Sequence, residues 1–179
     1  NKGCVDLNYY VMKTLGIEDK VSFRFSKWDP NNTDKYIGTE EEWETNQDTM
    51  RRILQAMDLE FEEAEGEAAF YGPKLDIQFR NVHGKEDTII TVQLDNSIAE
   101  KFDMYYVDKD GEKKRPYIIH RTSVGCYERT LAMLIEQYAG LFPTWLCAEQ
   151  VRILPISEKV HDYGQKILEE LKENNIRAT

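Results

Sequence analysis

A hydrophobic fraction of 41%, with 11% aromatic residues, in a chain of 179 residues excludes a disordered class and supplies enough apolar side chain for a buried core. That length fits one moderate domain with a piece of a second. The formal net charge of −10 argues against a free-standing nucleic-acid binder, since phosphate contacts need a basic field. Lys113, Lys114 and Arg115 form a small basic patch that reads as a solvated hairpin tip. Cys4, Cys126 and Cys147 are odd in number and show no CxxC spacing, which favours reduced thiols and a cytoplasmic setting over a disulfide framework. No apolar run approaches the ~18 residues of a membrane helix, and nothing resembles a signal peptide.

In chain order, residues 5–15 show helical spacing (Val5, Leu7, Tyr10, Val11, Leu15) that ends near Gly16. Residues 21–25 alternate as a short strand, and Trp28 to Lys35, with its Asp-Pro-Asn-Asn, is a loop. Thr39 heads Thr-Glu-Glu-Glu, a helix-start signature, and predicts a helix to about Met57 with Trp43, Met50, Ile53, Leu54 and Met57 inward. Residues 59–64 read as a strand. Leu75, Ile77 and Phe79 alternate with Asp76, Gln78 and Arg80, and after a turn around Gly84 a strand over 88–95 puts Val92 and Leu94 on one face and Thr91, Gln93 and Asp95 on the other. Residues 103–107 and 116–121 flank DKDGEKK as a second hairpin. A helix over 123–139 carries Val124, Tyr127, Leu131, Leu134, Ile135 and Tyr138, and Gly140 closes it. Strand 151–156, helix 158–173 and a new strand then open a βαβ unit. Hairpins with packed helices predict an α+β fold, an antiparallel sheet with helical cover, followed by the start of an α/β module near residue 149.

Residues 117–129, YIIHRTSVGCYER, concentrate the chemistry. A strand delivers His120 and Arg121 to the mouth of a turn, Thr122 or Ser123 can cap the helix, and Gly125 opens a gap four residues before Arg129. Residues four apart share a helix face. A missing side chain there lets a ligand approach the backbone, and a guanidinium one turn later can meet phosphate or stack on a base. Each residue also has a plainer reading: His120 as a sheet-edge residue, Arg129 as a surface ion-pair residue, and Tyr71 as a half-buried tyrosine at a bulge. Thr91 and Gln93 could equally be ordinary sheet-surface residues. His83, in a turn, and His161, on a helix, lack partners at ligand spacing and read as solvated.

This strand–Gly–helix–Glu-Arg arrangement resembles the third signature motif of class II aminoacyl-tRNA synthetases. Residues 68–77, AAFYGPKLDI, resemble the AFYGPK segment of the threonyl-tRNA synthetases in particular. TVQLD at 91–95 and YIGTEEEW at 36–43 are similar to elements of the same family, as are YAGLFPTWL at 138–146 and VRILPIS at 151–157. The likeness runs nearly end to end and in the family's order. It implies that His120 is one of three zinc ligands, the cysteine and histidine that complete the set lying upstream of Asn1. In the family, zinc receives the amine and hydroxyl of threonine, which explains rejection of valine. The resemblance also implies that Tyr71 contacts the threonyl group and that Lys74 lies near the reacting carboxylate and α-phosphate. Thr91 and Gln93 would line the adenylate pocket, and Gly125 and Arg129 would bind ATP. Glu128 reads as an orienting group.

Residues 87–91, DTIIT, depart from the family's WQCGT-like approach to TVQLD, which puts a nucleotide contact at Thr88 in doubt. Asn96 replaces an aromatic, and Cys126 stands where serine is usual. The chain starts at Asn1 and stops at Thr179 in what looks like a strand, so it reads as an excerpt: 1–148 as the C-terminal part of the class II catalytic domain and 149–179 as the beginning of an anticodon-binding domain. The implied function is threonine–tRNA ligation with ATP, magnesium and zinc, on tRNA(Thr), by an enzyme that is homodimeric at full length. The alternative is an inactive synthetase-like module that binds nucleotide or RNA.

Overall fold

The computed structural model describes residues 2–95 and 97–179. The departure at Asn96 lies outside the described residues, as does Asn1. The chain divides into two compact units, one running to Met133 and one from Leu134 onward.

In the first unit, helix α1 (Lys2–Leu15) buries Val5, Asn8 and Met12, and strand β1 (Val21–Ser26) follows. Helix α2 (Glu40–Ala56) starts at the capping box the sequence announces. The Thr39 hydroxyl accepts from Glu42 N, and the Glu42 carboxylate accepts from Thr39 N at 2.8 Å. These contacts satisfy two otherwise orphaned donors. Trp43, Met50 and Leu54 are buried on α2 as expected, together with Asn46 and Gln47. Strands β2 (Glu62–Ala64), β3 (Lys74–Arg80) and β4 (Glu86–Asp95) come next, then the short helix α3 (Ser97–Lys101).

The second hairpin is smaller than predicted and pairs differently. Strand β5 (Tyr106–Val107) pairs with β6 (Lys113–Lys114) in a separate two-stranded ribbon. Strand β7 (Ile118–Arg121) instead joins β4, so the five-stranded sheet runs β2-β1-β3-β4-β7. The DKDGEKK turn closes only its own ribbon, and the partner of the IIHR segment is a strand far earlier in the chain. All pairs in this sheet are antiparallel except β1 with β2.

Register separates the sheet into two unlike faces, because directly paired residues point to the same side. One face carries Phe23, Phe25, Leu75, Ile77, Ile90, Val92 and Leu94, all buried. Helix α1 covers it where Tyr9 stacks on Phe23, and α2 where the Arg51 guanidinium lies 5.8 Å from the centre of the Phe25 ring. Each fully buried side chain of this size contributes about 1.5–3 kcal/mol. The other face is polar and holds the candidate site.

Helix α4 (Tyr127–Gln137) starts four residues later than predicted. Gly125 has φ +77°, a left-handed conformation that interrupts the helix, and Cys126 O is the first carbonyl to receive an α-helical bond, from Thr130 N. The buried stripe of α4 is Thr130, Met133 and Leu134, whereas Tyr127, Leu131 and Ile135, members of the periodic apolar set, are exposed. In the second unit, Gly140 N closes the helix on Ile135 O at 3.0 Å. Val151 forms an isolated parallel bridge to Ala178 across helix α5 (His161–Glu173); the strands expected on either side of this helix are reduced to that single pair, and the helix begins three residues later than predicted, after a 3-10 turn over Glu158–Val160. Gly164 of α5 sits against Pro155 and Ile153. Among the described residues no helix is long and apolar enough to cross a membrane.

Candidate active site

Ser26 pairs with Lys74, Lys74 with Gln93, and Gln93 with His120. Four side chains from β1, β3, β4 and β7 therefore stand in one row on the polar face. Asp76 and Thr91, paired with each other, lie in the next row of that face. Lys74, Gln93, Thr91 and His120, singled out separately along the sequence, are thus brought together by register. A cleft of about 490 Å³ opens over Thr91, Gln93, Ile119, His120, Arg121 and Thr122.

Tyr71 reaches the row from the turn before β3. A Cβ on Gly72 would overlap the Leu94 carbonyl oxygen, so only glycine lets this turn close against β4. Leu94 N donates to Pro73 O at 3.0 Å and continues the ladder past the end of β3. The Tyr71 hydroxyl donates to Gln93 Oε1. Its ring meets the His120 ring edge-on, with centroids 5.7 Å apart. Burial, and secondarily the Asp95 charge, raise the phenol's pKa above its ordinary value, so it stays protonated and donates.

Lys74 and His120 are each held by a buried carboxylate. Lys74 Nζ donates to Asp76 Oδ2 at 2.6 Å, and Ser26 Oγ donates to the same oxygen at 2.8 Å. The Asp76 side chain is only 2% exposed, and its Oδ1 is buried without a hydrogen-bond partner. Asp95 Oδ2 lies 2.9 Å from His120 Nε2. Burial opposes ionisation of Asp95, but bonds from His120, Ile98 and Ser97 outweigh it and hold the carboxyl below its usual value. Sequence reading overlooked Asp76 and Asp95 as members of the site. Their alternation with Leu75 and Leu94 placed them on the polar face, and that was the available signal.

The nucleotide-side residues are arranged differently from expectation. Gly125 lies before α4 and does not share a helix face with Arg129. A Cβ there would overlap the Ile89 carbonyl oxygen, so the missing side chain admits β4's own backbone. The β3–β4 register passes from Ile77↔Ile90 to Gln78↔Thr88 and skips Ile89, a bulge at the point where Gly125 approaches. Arg129 Nη1 donates to Thr88 O at 2.9 Å, and the side chain is otherwise exposed. Thr88 Oγ1 donates to Gln78 Oε1 at 3.0 Å. The Cys126 thiol donates to Glu128 Oε2 at 3.0 Å, which lowers the pKa of that carboxyl.

As to metal binding, no three His, Cys, Asp or Glu side chains gather into a metal-holding group among the described residues. His83 and His161 are exposed. The chemistry of His120 is compatible with a ligand's role: one ring nitrogen faces a carboxylate, the usual support of a metal-bound imidazole, and a second ring nitrogen could then donate its lone pair to a metal.

The family described as tRNA synthetase class II core domain (G, H, P, S and T) matches residues 2–138. The chain is 64% identical over 177 residues to a threonine–tRNA ligase of Clostridium perfringens, covering 99% of this chain and 28% of that protein. It is 62% identical over 176 residues to a threonine–tRNA ligase of Clostridium botulinum, covering 98% of this chain and 27% of that protein. The crystal structure of the RNA binding domain of threonyl-tRNA synthetase from Cryptosporidium parvum superposes with a TM-score of 0.85 at 29% identity, over 98% of this chain and 43% of that one. The chain therefore spans under a third of the length of these curated relatives, and on the match over residues 2–138 it belongs to the class II tRNA synthetase core domain family.

Proposed function

We propose that this chain is the C-terminal part of the catalytic core of a threonine–tRNA ligase (residues 1–148), followed by the start of its anticodon-binding domain (149–179). The parallel Val151–Ala178 bridge across α5 supports a new module there. The row Ser26–Lys74–Gln93–His120, with Tyr71 bonded into it, carries the reading. It sets a cation, an amide, an imidazole and a phenol on one wall of a cleft.

In the proposed reaction, the threonine carboxylate attacks the α-phosphate of ATP in line and pyrophosphate leaves with the electron pair. The product is threonyl-adenylate; a ribose hydroxyl at the 3′ end of tRNA(Thr) then attacks its carbonyl carbon, the acyl–phosphate bond breaks and AMP leaves. Tyr71 and Gln93 orient the threonyl end, and Lys74, aimed by Asp76, offsets negative charge where carboxylate and α-phosphate meet. Arg129 spends one donor on Thr88 O and keeps the rest of its planar fork for phosphate or adenine. Thr91 lines the same wall. Zinc held by His120 with ligands from elsewhere in the protein would bind the amine and hydroxyl of threonine, and magnesium would accompany ATP. No residue needs to act as a covalent nucleophile. The full-length enzyme would be a homodimer in the cytoplasm, where the three free cysteines stay reduced.

The test is threonine-dependent ATP–pyrophosphate exchange by the full-length protein. Arg129→Ala should cost ~10²–10³ in kcat/KM for ATP, about 3–4 kcal/mol, with an unchanged thermal melt. Arg129→Lys should not restore it, because an ammonium cannot reproduce a planar stack. Near-normal exchange in Arg129→Ala would return the arginine to a surface role, and no exchange by the wild type would favour a non-catalytic nucleotide-binding module.

A further inference from the structure

The two oxygens of Asp95 do different work. Oδ1 accepts from Ser97 N at 2.8 Å, Ser97 Oγ at 3.0 Å and Ile98 N at 3.1 Å. Oδ2 lies 2.9 Å from His120 Nε2. The Asp95 side chain is 2% exposed and that of His120 is 40% exposed. Two backbone N–H groups on Oδ1 fix the carboxylate plane, because rotation would strand buried donors. Oδ2 is thereby aimed at β7 and accepts only, so the neutral imidazole carries its proton on Nε2 and its lone pair on Nδ1.

We propose that Asp95 is a positioning residue that sets the tautomer of His120 and presents Nδ1 as the metal-binding atom. The inference rests on the reading of His120 as a zinc ligand and goes beyond it by naming the atom that binds and the residue that selects it. Asp95→Asn isolates the effect. Ser97 N and Ile98 N still demand an acceptor at the Oδ1 position, so the new amide NH₂ must take the place of Oδ2. There it donates to Nε2, drives the ring proton to Nδ1 and removes the lone pair the metal needs. The turn into α3 keeps its backbone bonds.

The experiment uses the full-length protein with zinc alone in chelator competition, and with Co(II) as an optical probe. Asp95→Asn is expected to weaken zinc about 10–100-fold and to alter the Co(II) d–d bands. Ser97→Ala, which removes only one donor to Oδ1, should leave both unchanged. In a His120→Ala background, adding Asp95→Asn should produce no further loss. Wild-type zinc affinity and an unchanged Co(II) spectrum in Asp95→Asn overturn the proposal, provided His120→Ala loses zinc. Zinc retained in His120→Ala overturns the ligand reading, and the positioning role falls with it. A structure of the zinc-loaded wild type decides without any variant: Nδ1 on the metal supports the proposal, and Nε2 on the metal ends it.

Discussion

The two ends of β4 serve the site by opposite means. At Gln93 and Asp95 the side chains make the contacts, to Tyr71 and to His120. At Thr88 and Ile89 the carbonyls do, with Arg129 bonded to one and Gly125 pressed against the other. A side-chain contact is exchanged by any substitution at that position. A carbonyl is offered by every residue, so that end should tolerate changes along β4 but not changes in what packs against it. Within DTIIT the Arg129 contact is made through the Thr88 carbonyl and does not depend on the side chain at that position.

The sharpest way to break the comparison is at the two glycines, which bring a turn against each end of β4. Gly125→Ala must place a Cβ in the space of the Ile89 carbonyl oxygen at φ +77°. Destabilisation of roughly 3 kcal/mol is expected, with a lowered melting temperature and loss of ATP binding. Gly72→Ala, which meets Leu94 O in the same way, should cost a similar amount and disturb threonine binding instead. A melt within 1 °C of wild type for either variant would show that the turn has room to move. Thr88→Ala is the intermediate case. It leaves Gln78, 4% exposed, without its Thr88 partner, and should cost about 1 kcal/mol in denaturant unfolding with the KM for ATP unchanged. A KM rise approaching that of Arg129→Ala would mean the side chain matters after all.

The smallest effect should come from the far edge of the sheet. Glu63 on β2 bonds Arg51 Nε at 2.6 Å and lies 2.9 Å from Lys27 Nζ. The Arg51 hydrogen bond is the main cause that depresses its pKa to about 2. A carboxyl depressed on folding contributes stability above its unfolded value of about 4.3. That contribution fades as pH falls toward about 2. Glu63→Gln should flatten this acid limb by no more than about 1 kcal/mol, since the pair is partly solvated, and leave neutral-pH exchange kinetics alone. A change in kinetics would mean the two ends of β4 are not insulated from the edge.

Much of this was legible in residue order, and the failures are instructive. The Thr39 capping box and the alternation through 75–79 and 91–95 are local signals, and the structure follows them. Alternation also put Thr91, Gln93 and Asp95 on one face. It could not say which residues of other strands stand beside them, because pairing register is a long-range property. Proximity in the chain therefore predicts 116–121 beside the preceding short strand although it pairs with β4, and it carries no sign that Lys74, Gln93 and His120 form one row. The helix starting at 123 was misjudged for a different reason. A 3.6-residue pattern carries no mark for the one residue whose backbone must turn left-handed to meet a bulge.

The row that runs from Ser26 to His120 has a kinetic consequence. Its members come from both extremes of the first unit, and each pair exists only when two strands have already found their register. Closing such distant loops is slow and unrewarded until the last strand arrives. The complete site should therefore appear only when β7 docks on β4, and a nascent chain not yet extended past His120 can hold no more than the Ser26–Lys74–Gln93 part of the row.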